Sequence, residues 1–190
     1  MAGREQINPT GKERTFGENE IIISKTDPKG LVTYANEVFC RISSFNEIEL
    51  VGKPHNLVRH PDMPGCIFKL MWEELKAGKE FYGYVKNMAS NGDHYWVMAW
   101  VHPLTAVDKK VKGFLSYRLH PNRNVLPKIQ ELYDFLIKEE KSEKNRNKGI
   151  EKSYKLLAEK YKPIMESVTK KDPYYREFVK KAKTIVREST

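Results

Sequence analysis

The sequence predicts an α+β fold: one five-stranded antiparallel sheet with short helices gathered on one face, followed by a C-terminal helical extension. Three observations carry this. Two strand patterns come first, then several short helical patterns, then three more strands. The last three strands are joined by tight turns, SNGD at 90–93 and AVDKK at 106–110. Beyond residue 122 the strand alternation gives way to helical spacing. The predicted parts are an N-terminal segment (1–18), a sheet domain (19–122) and a basic helical extension (123–190).

Taken in order, EIIIS (20–24) is a short apolar strand, and TDPKG is a turn with Pro and Gly at turn positions. LVTYA (31–35) completes a hairpin. Asn36 is placed to cap a helix whose Val38, Phe39 and Ile42 share one face. SSFNEIELVG predicts a further short helix ending at Gly52, and PHNLVRHPDMP is irregular. Pro64 suits the first turn of a helix in which Phe68, Met71, Trp72 and Leu75 fall at i, i+3, i+4 and i+7, stopping at Gly78. Strands follow at 81–89, 94–104 and 111–119. In the extension, Val125, Ile129, Leu132, Tyr133 and Leu136 form one stripe, and KSEKNRNKG (141–149) is a polar break. Tyr154, Leu157, Ala158, Tyr161, Met165 and Val168 form a second stripe, and Phe178, Ala182 and Ile185 mark a last segment.

Composition narrows the function. With 39% hydrophobic residues in 190, the chain can fill a core. No apolar run approaches the ~18 residues that span a bilayer. MAGREQINPTGKER lacks a secretion core, which predicts a cytoplasmic protein without direct membrane insertion. The net charge of +9 is lopsided: residues 1–140 hold 19 Lys/Arg against 18 Asp/Glu, and residues 141–190 hold 15 against 7. A nucleic-acid role would rest on the tail alone, where a solvated helical face explains the charge equally simply. Cys40 and Cys66 form no CxxC or zinc pattern.

Alternation along HYWVMAWV puts Tyr95, Val97, Ala99 and Val101 on one sheet face and His94, Trp96, Met98 and Trp100 on the other. Phe81, Gly83, Val85 and Asn87 share a face of the neighbouring strand. Gly83 and Ala99 leave room for a flat ligand, or for helices that simply fill the space. The Trp-rich face demands a cover, from the N-terminal segment, the tail or another protein. His55, His60 and Asp62 match no standard metal spacing, and no nucleophile elbow or phosphate loop is present. Arg59 and His60 sit just ahead of a helix N-terminus, a natural anion seat, with Trp72 two turns on as a stacking face. Equally, Arg59 could pair with Asp62 and Trp72 could be core.

The stretches VTYANEVFCRISSFNEIELVGKPHNLVRHPDMP, MWEELKAGKEFYGYVKNMASNGDHYWVMAWVHPL and GFLSYR together resemble the PAS domain of bacterial aerotaxis (energy-taxis) receptors, over about residues 20–122. HNLVRHPDMP and the VKN…NGDHYWV block are the specific part. The resemblance implies a PAS fold, non-covalent FAD, and redox sensing rather than enzymatic turnover. It assigns Asn36, Arg59, His60, Asp62, Trp72, Asn87 and Tyr95 to holding or answering FAD. Asn87 would face the flavin's polar edge, Arg59 and His60 the phosphate and ribose, and Trp72 the adenine. In light-sensing flavin PAS domains the reactive cysteine follows Gly-x-Asn. Here that stretch is GKPH with His55, which argues against a photochemical adduct. The same resemblance puts Arg118 near the position of a glutamine beside flavin N5, where its charge favours an anionic flavin.

Aerotaxis receptors continue into membrane helices and a methyl-accepting signalling domain, which this sequence lacks. The expectation is either a stand-alone sensor of a bipartite system or the sensory piece of a longer receptor. Its partner would be a membrane-bound methyl-accepting chemotaxis-type protein, through which it could sit beside the inner membrane, and it could also pair with a second copy of itself. The competing expectation is a PAS interaction module that binds haem or no cofactor.

Overall fold

The structure is a computed structural model that describes residues 7–106, 108 and 110–161, the side chains of 160 and 161 excepted. The predicted final segment around Phe178, Ala182 and Ile185, and the stripe positions Met165 and Val168, lie outside these residues. One compact unit comprises the chain up to Met63 together with Glu73–Pro121; a second comprises Pro64–Trp72 and the chain from Asn122 onward.

In the first unit, β1 (Ile22–Thr26), β2 (Val32–Ala35), β3 (Phe81–Met88), β4 (His94–Thr105) and β5 (Val111–Leu119) form one antiparallel sheet in the order β2-β1-β5-β4-β3. The first and last strands therefore meet at its centre. β1 lies two residues further along than the apolar run suggests, over the stretch that pairs with β5 from Ile22, opposite Arg118, to Thr26, opposite Phe114. Between β2 and β3 lie α1 (Glu37–Ser43), α2 (Glu47–Leu50), a 3₁₀ turn (His55–Val58) inside the stretch predicted irregular, and α3 (Gly65–Lys76). One of the boundaries between the units falls within α3, between Trp72 and Glu73.

Asn36 caps α1 as its position predicts: Oδ1 accepts from the Phe39 amide at 3.1 Å. The same oxygen accepts from Ile23 N at 3.0 Å, and Nδ2 donates to Ile21 O at 2.8 Å. One side chain thus fastens α1 to β1. Phe39 and Ile42 of α1, Leu50 and Val58 are buried with Ile22, Tyr95, Val97 and Ala99 in one apolar cluster. At the start of β4 the N-terminal segment takes the side that β5 has left: Arg14 N donates to His94 O and His94 N to Lys12 O, at 2.7 and 2.9 Å.

On the opposite sheet face Trp96, Met98 and Trp100 are all buried. Trp100 stacks on Tyr82 and Tyr117, with centroids 5.8 and 5.4 Å away, and its Nε1 donates to Glu80 at 3.1 Å.

The second unit contains α4 (Leu126–Lys141) and α5 (Arg146–Leu156), followed by a π-helical turn at Leu157–Tyr161. The predicted break at 141–149 is shorter than expected, because Asn145 caps α5 by accepting from Asn147 N and Lys148 N. Among the described residues no helix is long and apolar enough to cross a membrane.

Candidate functional site

The helix-covered face of the sheet collects an unusual set of polar groups. Arg118 on β5 stands between Ile22 of β1 and Ala99 of β4. It is 3% exposed, and its Nη2 donates to Ser24 Oγ at 2.7 Å and to His55 Nε2 at 2.6 Å. The guanidinium lies 4.9 Å from the Phe39 ring, against which His55 also stacks at 5.7 Å. A guanidinium only donates, so His55 Nε2 must be a bare acceptor and the ring neutral. Burial, then the nearby Arg118 charge, pushes the His55 pKa down to about 3, in keeping with this. Burial also draws Arg118 itself down to about 10, Tyr95 partly opposing; it remains a cation at neutral pH.

Among the described residues that cation has no carboxylate partner, and its Nη1 has no hydrogen-bond partner. Three more buried polar atoms on the same face share that condition: Asn87 Nδ2, Tyr95 OH and Ser116 Oγ. Registers place them together, with Asn87 opposite Tyr95, Ala99 opposite Arg118, and Ser116 between Ser24 and Val101. An orphaned buried polar group costs about 1–3 kcal/mol. Four on one face amount to a donor-rich surface awaiting acceptors, ideally with negative charge. The Tyr95 hydroxyl stays protonated, since burial raises its pKa well above the usual phenol value.

The flat space over Gly83 is filled differently from expectation. A Cβ there would come within 2.8 Å of the Phe81 ring, which lies across the glycine. The obstruction is the far end of a flexible side chain, so a planar ligand could displace it by a rotamer change.

The HPDM loop forms a second group beside Asn87. Arg59 pairs with Asn87 as an isolated backbone bridge, and its Nη2 donates to Met63 O at 2.9 Å. His60 is buried and accepts from the Asp62 amide through Nδ1 at 3.0 Å, with its ring 5.8 Å from His94. Asp62 pairs with Lys86 Nζ at 3.0 Å. Burial, followed by the Lys86 charge, lowers the His60 pKa to about 4.

Three sequence expectations change here. His60 is neutral and cannot supply positive charge to a phosphate. The first amides of α3, expected to help seat an anion, are engaged by the protein's own Glu140. Asn36 directs both its oxygen and one amide hydrogen to backbone, so it acts on the site by fixing α1. Trp72 lies on the part of α3 that belongs to the second unit, and is half-buried. Asn87, Tyr95 and Arg118 do fall together. Sequence reading passed over Ser24 and Ser116, whose signal was alternation with Arg118 across paired strands. It gave His55 no role, although His55 accepts from the buried Arg118.

Residues 32–118 match a family described as the PAS fold. Over 127 residues, 67% of this chain, the sequence is 38% identical to the Aerotaxis receptor of Escherichia coli (strain K12), and the match covers 25% of that receptor's length. It is 32% identical over 79 residues to the Biofilm dispersion protein BdlA of Pseudomonas aeruginosa, covering 41% of this chain and 19% of that one. The chain thus spans a quarter or less of these relatives. A Light-Oxygen-Voltage domain described with a flavin analogue superposes with a TM-score of 0.51 at 17% identity, covering 65% of this chain and 87% of that one. With its 2-1-5-4-3 sheet and helices on one face, the first unit is a PAS fold, and the chain carries a PAS domain similar to that of the Aerotaxis receptor.

Proposed function

We propose that this protein is a redox sensor of the energy-taxis type, binding FAD non-covalently in its PAS domain, and that it is not an enzyme. The observation that carries this reading is the buried, acid-free Arg118 with Asn87, Tyr95 and Ser116 unsatisfied on the same face. The residues fit the group. A flavin ring offers a pyrimidine edge of carbonyl and ring-nitrogen acceptors to Arg118 Nη1 and Asn87 Nδ2, and an apolar plane to Val97 and Ala99. Phe81 must leave Gly83 to admit it. The likeness to the Aerotaxis receptor and to a flavin-type Light-Oxygen-Voltage domain supports the same choice.

When bound, a flavin supplies reversible electron uptake that changes charge and protonation at its ring. This chain's residues do the rest. Arg118 would hold negative charge on a bound flavin, in a setting where burial strengthens the interaction. Ser24 and His55 fix its orientation by using both hydrogens of Nη2. Asn87 reports to the HPDM loop through its backbone bridge to Arg59. Through that bridge the HPDM loop would respond to a change of charge in the site. The output would reach a membrane-bound methyl-accepting chemotaxis-type protein, directly or through a second copy of this chain.

The test is the visible spectrum of the purified protein, with identification of the cofactor released on denaturation. Flavin bands and FAD are expected, with FAD content sharply reduced in Arg118→Met and Asn87→Ala. A haem Soret band, a colourless protein that takes up no added FAD, or full FAD content in both variants overturns the reading.

A further inference from the structure

The second unit contains a contact that neither the sheet site nor the family likeness explains. Helix α3 begins at Gly65 directly after Pro64, which has no side-chain oxygen to cap it. The cap comes from residue 140 instead. Glu140 Oε2 accepts from Gly65 N and Oε1 from Cys66 N, both at 2.9 Å. One carboxylate thus satisfies two orphan amides at the positive end of the helix. Buried Ser153 of α5 holds the same carboxylate, its Oγ 2.9 Å from Oε1.

Two glycines make this approach possible. A Cβ at Gly65 would lie 2.7 Å from the Ile150 side chain, and one at Gly149 would lie 2.2 Å from the backbone oxygen of Glu140 itself. The α5 backbone is therefore pressed onto α4 at the capping residue. A second attachment lies one turn further along α3. Lys69 pairs with Glu151 at 2.9 Å and sits 5.0 Å from the Tyr154 ring. On the other side of Pro64, Met63 belongs to the HPDM loop: its carbonyl accepts from Arg59, and its sulfur from Lys86 N at 3.2 Å.

We propose that Glu140 is a releasable clasp: it holds the α4–α5 hairpin to the start of α3, and its release passes a displacement of residues 59–63 to the C-terminal extension. The signalling role rests on the flavin-sensor reading; the clasp rests only on the contacts just described.

Cys66 reports on it, since its thiol is buried beside the clasp and, chiefly through burial, pushed up to about 12, so alkylation requires opening. The experiment is alkylation of the full-length protein, followed by mass spectrometry of the Cys66 and Cys40 peptides. Glu140→Gln keeps the side chain's size but turns an NH₂ toward one of the two amides. Cys66 labelling is expected to rise about five- to thirtyfold, with Cys40 unchanged. Ser153→Ala should give a smaller rise in the same direction. Wild-type Cys66 rates in both variants, or equal acceleration of both cysteines, overturn the clasp. For the signalling role, flavin-loaded protein is labelled oxidised and photoreduced. Wild type should show a redox difference at Cys66 that disappears in Glu140→Gln; no difference in wild type, or one that persists in the variant, overturns the coupling. If no FAD co-purifies, the flavin reading fails while the Glu140→Gln comparison still decides the clasp.

Discussion

Arg118 carries two opposed effects that can be measured separately. In the cofactor-free protein it is a buried cation that meets Ser24, His55 and the Phe39 ring and no carboxylate among the described residues, an arrangement that costs stability. Replacing it by Met should raise the unfolding free energy of the FAD-stripped protein by about 1–4 kcal/mol. Ser24 Oγ, 3.2 Å from His55 Nε2, can then donate to the ring in its place. The same substitution should empty the site of FAD. Gain of stability with loss of cofactor marks a residue kept for function; a large loss of stability in urea titration would instead make Arg118 structural. Tyr95→Phe is a milder case. Removing an unpartnered hydroxyl should leave the stripped protein equally stable or up to about 1 kcal/mol more stable. At this scale alternation in the sequence put Tyr95 and Asn87 on defined sheet faces, and the family resemblance alone singled them out for a site. The sequence did not disclose the Ser24–His55–Arg118 group, because those residues lie far apart along the chain: the β1–β5 register brings Ser24 to Arg118, and the 3₁₀ turn brings His55 to both. His60 misled for a related reason: its neighbours in sequence look like an ion site, and burial has made it neutral.

The elements followed the hydrophobic period closely, and each departure has a local cause. All five strands and α1 to α3 are present in the predicted order, β1 shifted by two residues and α3 capped from Glu140 rather than locally. The 3₁₀ turn at His55–Val58 was invisible because two prolines and a histidine-rich text mask its single turn. Helix α5 was partly read as a break, since the residues it buries are Gly149 and Ser153, small ones that leave no apolar stripe. That choice of small residues gives a prediction. Gly149→Ala pushes a methyl into the Glu140 backbone oxygen, so α4 and α5 must separate. The expected cost is about 1–3 kcal/mol, read as faster amide exchange across α5 with the sheet unaffected. Unchanged exchange in α5 would mean that the hairpin accommodates the methyl freely.

For the whole molecule, the buried histidines set a pH response. His55 and His60 are held neutral, with pKa values near 3 and 4 against about 6.5 in the unfolded chain. Between those limits the unfolded state binds more protons than the native one, so stability rises with pH. The contribution is fully present above about pH 6.5 and drains away as the pH falls toward 4. Each histidine can contribute a slope of up to about 1.4 kcal/mol per pH unit. Denaturant titrations from pH 7.5 to 4.5 should show this decline, and His60→Gln should flatten it; an equal slope in the variant would assign the response elsewhere. Nothing in the composition foretold this, because a histidine's burial depends on the assembled fold. The central pairing of β1 with β5 also has a consequence for biosynthesis. Ser24 and Arg118 are 94 residues apart, so at about 5–20 residues per second the ribosome makes the second roughly 5–20 s after the first. During that interval the nascent chain has half of the polar face and no way to close it. If that face seats a flavin as proposed, capture must wait for the last strand of the domain, and a shortage of flavin would be met by finished chains rather than growing ones.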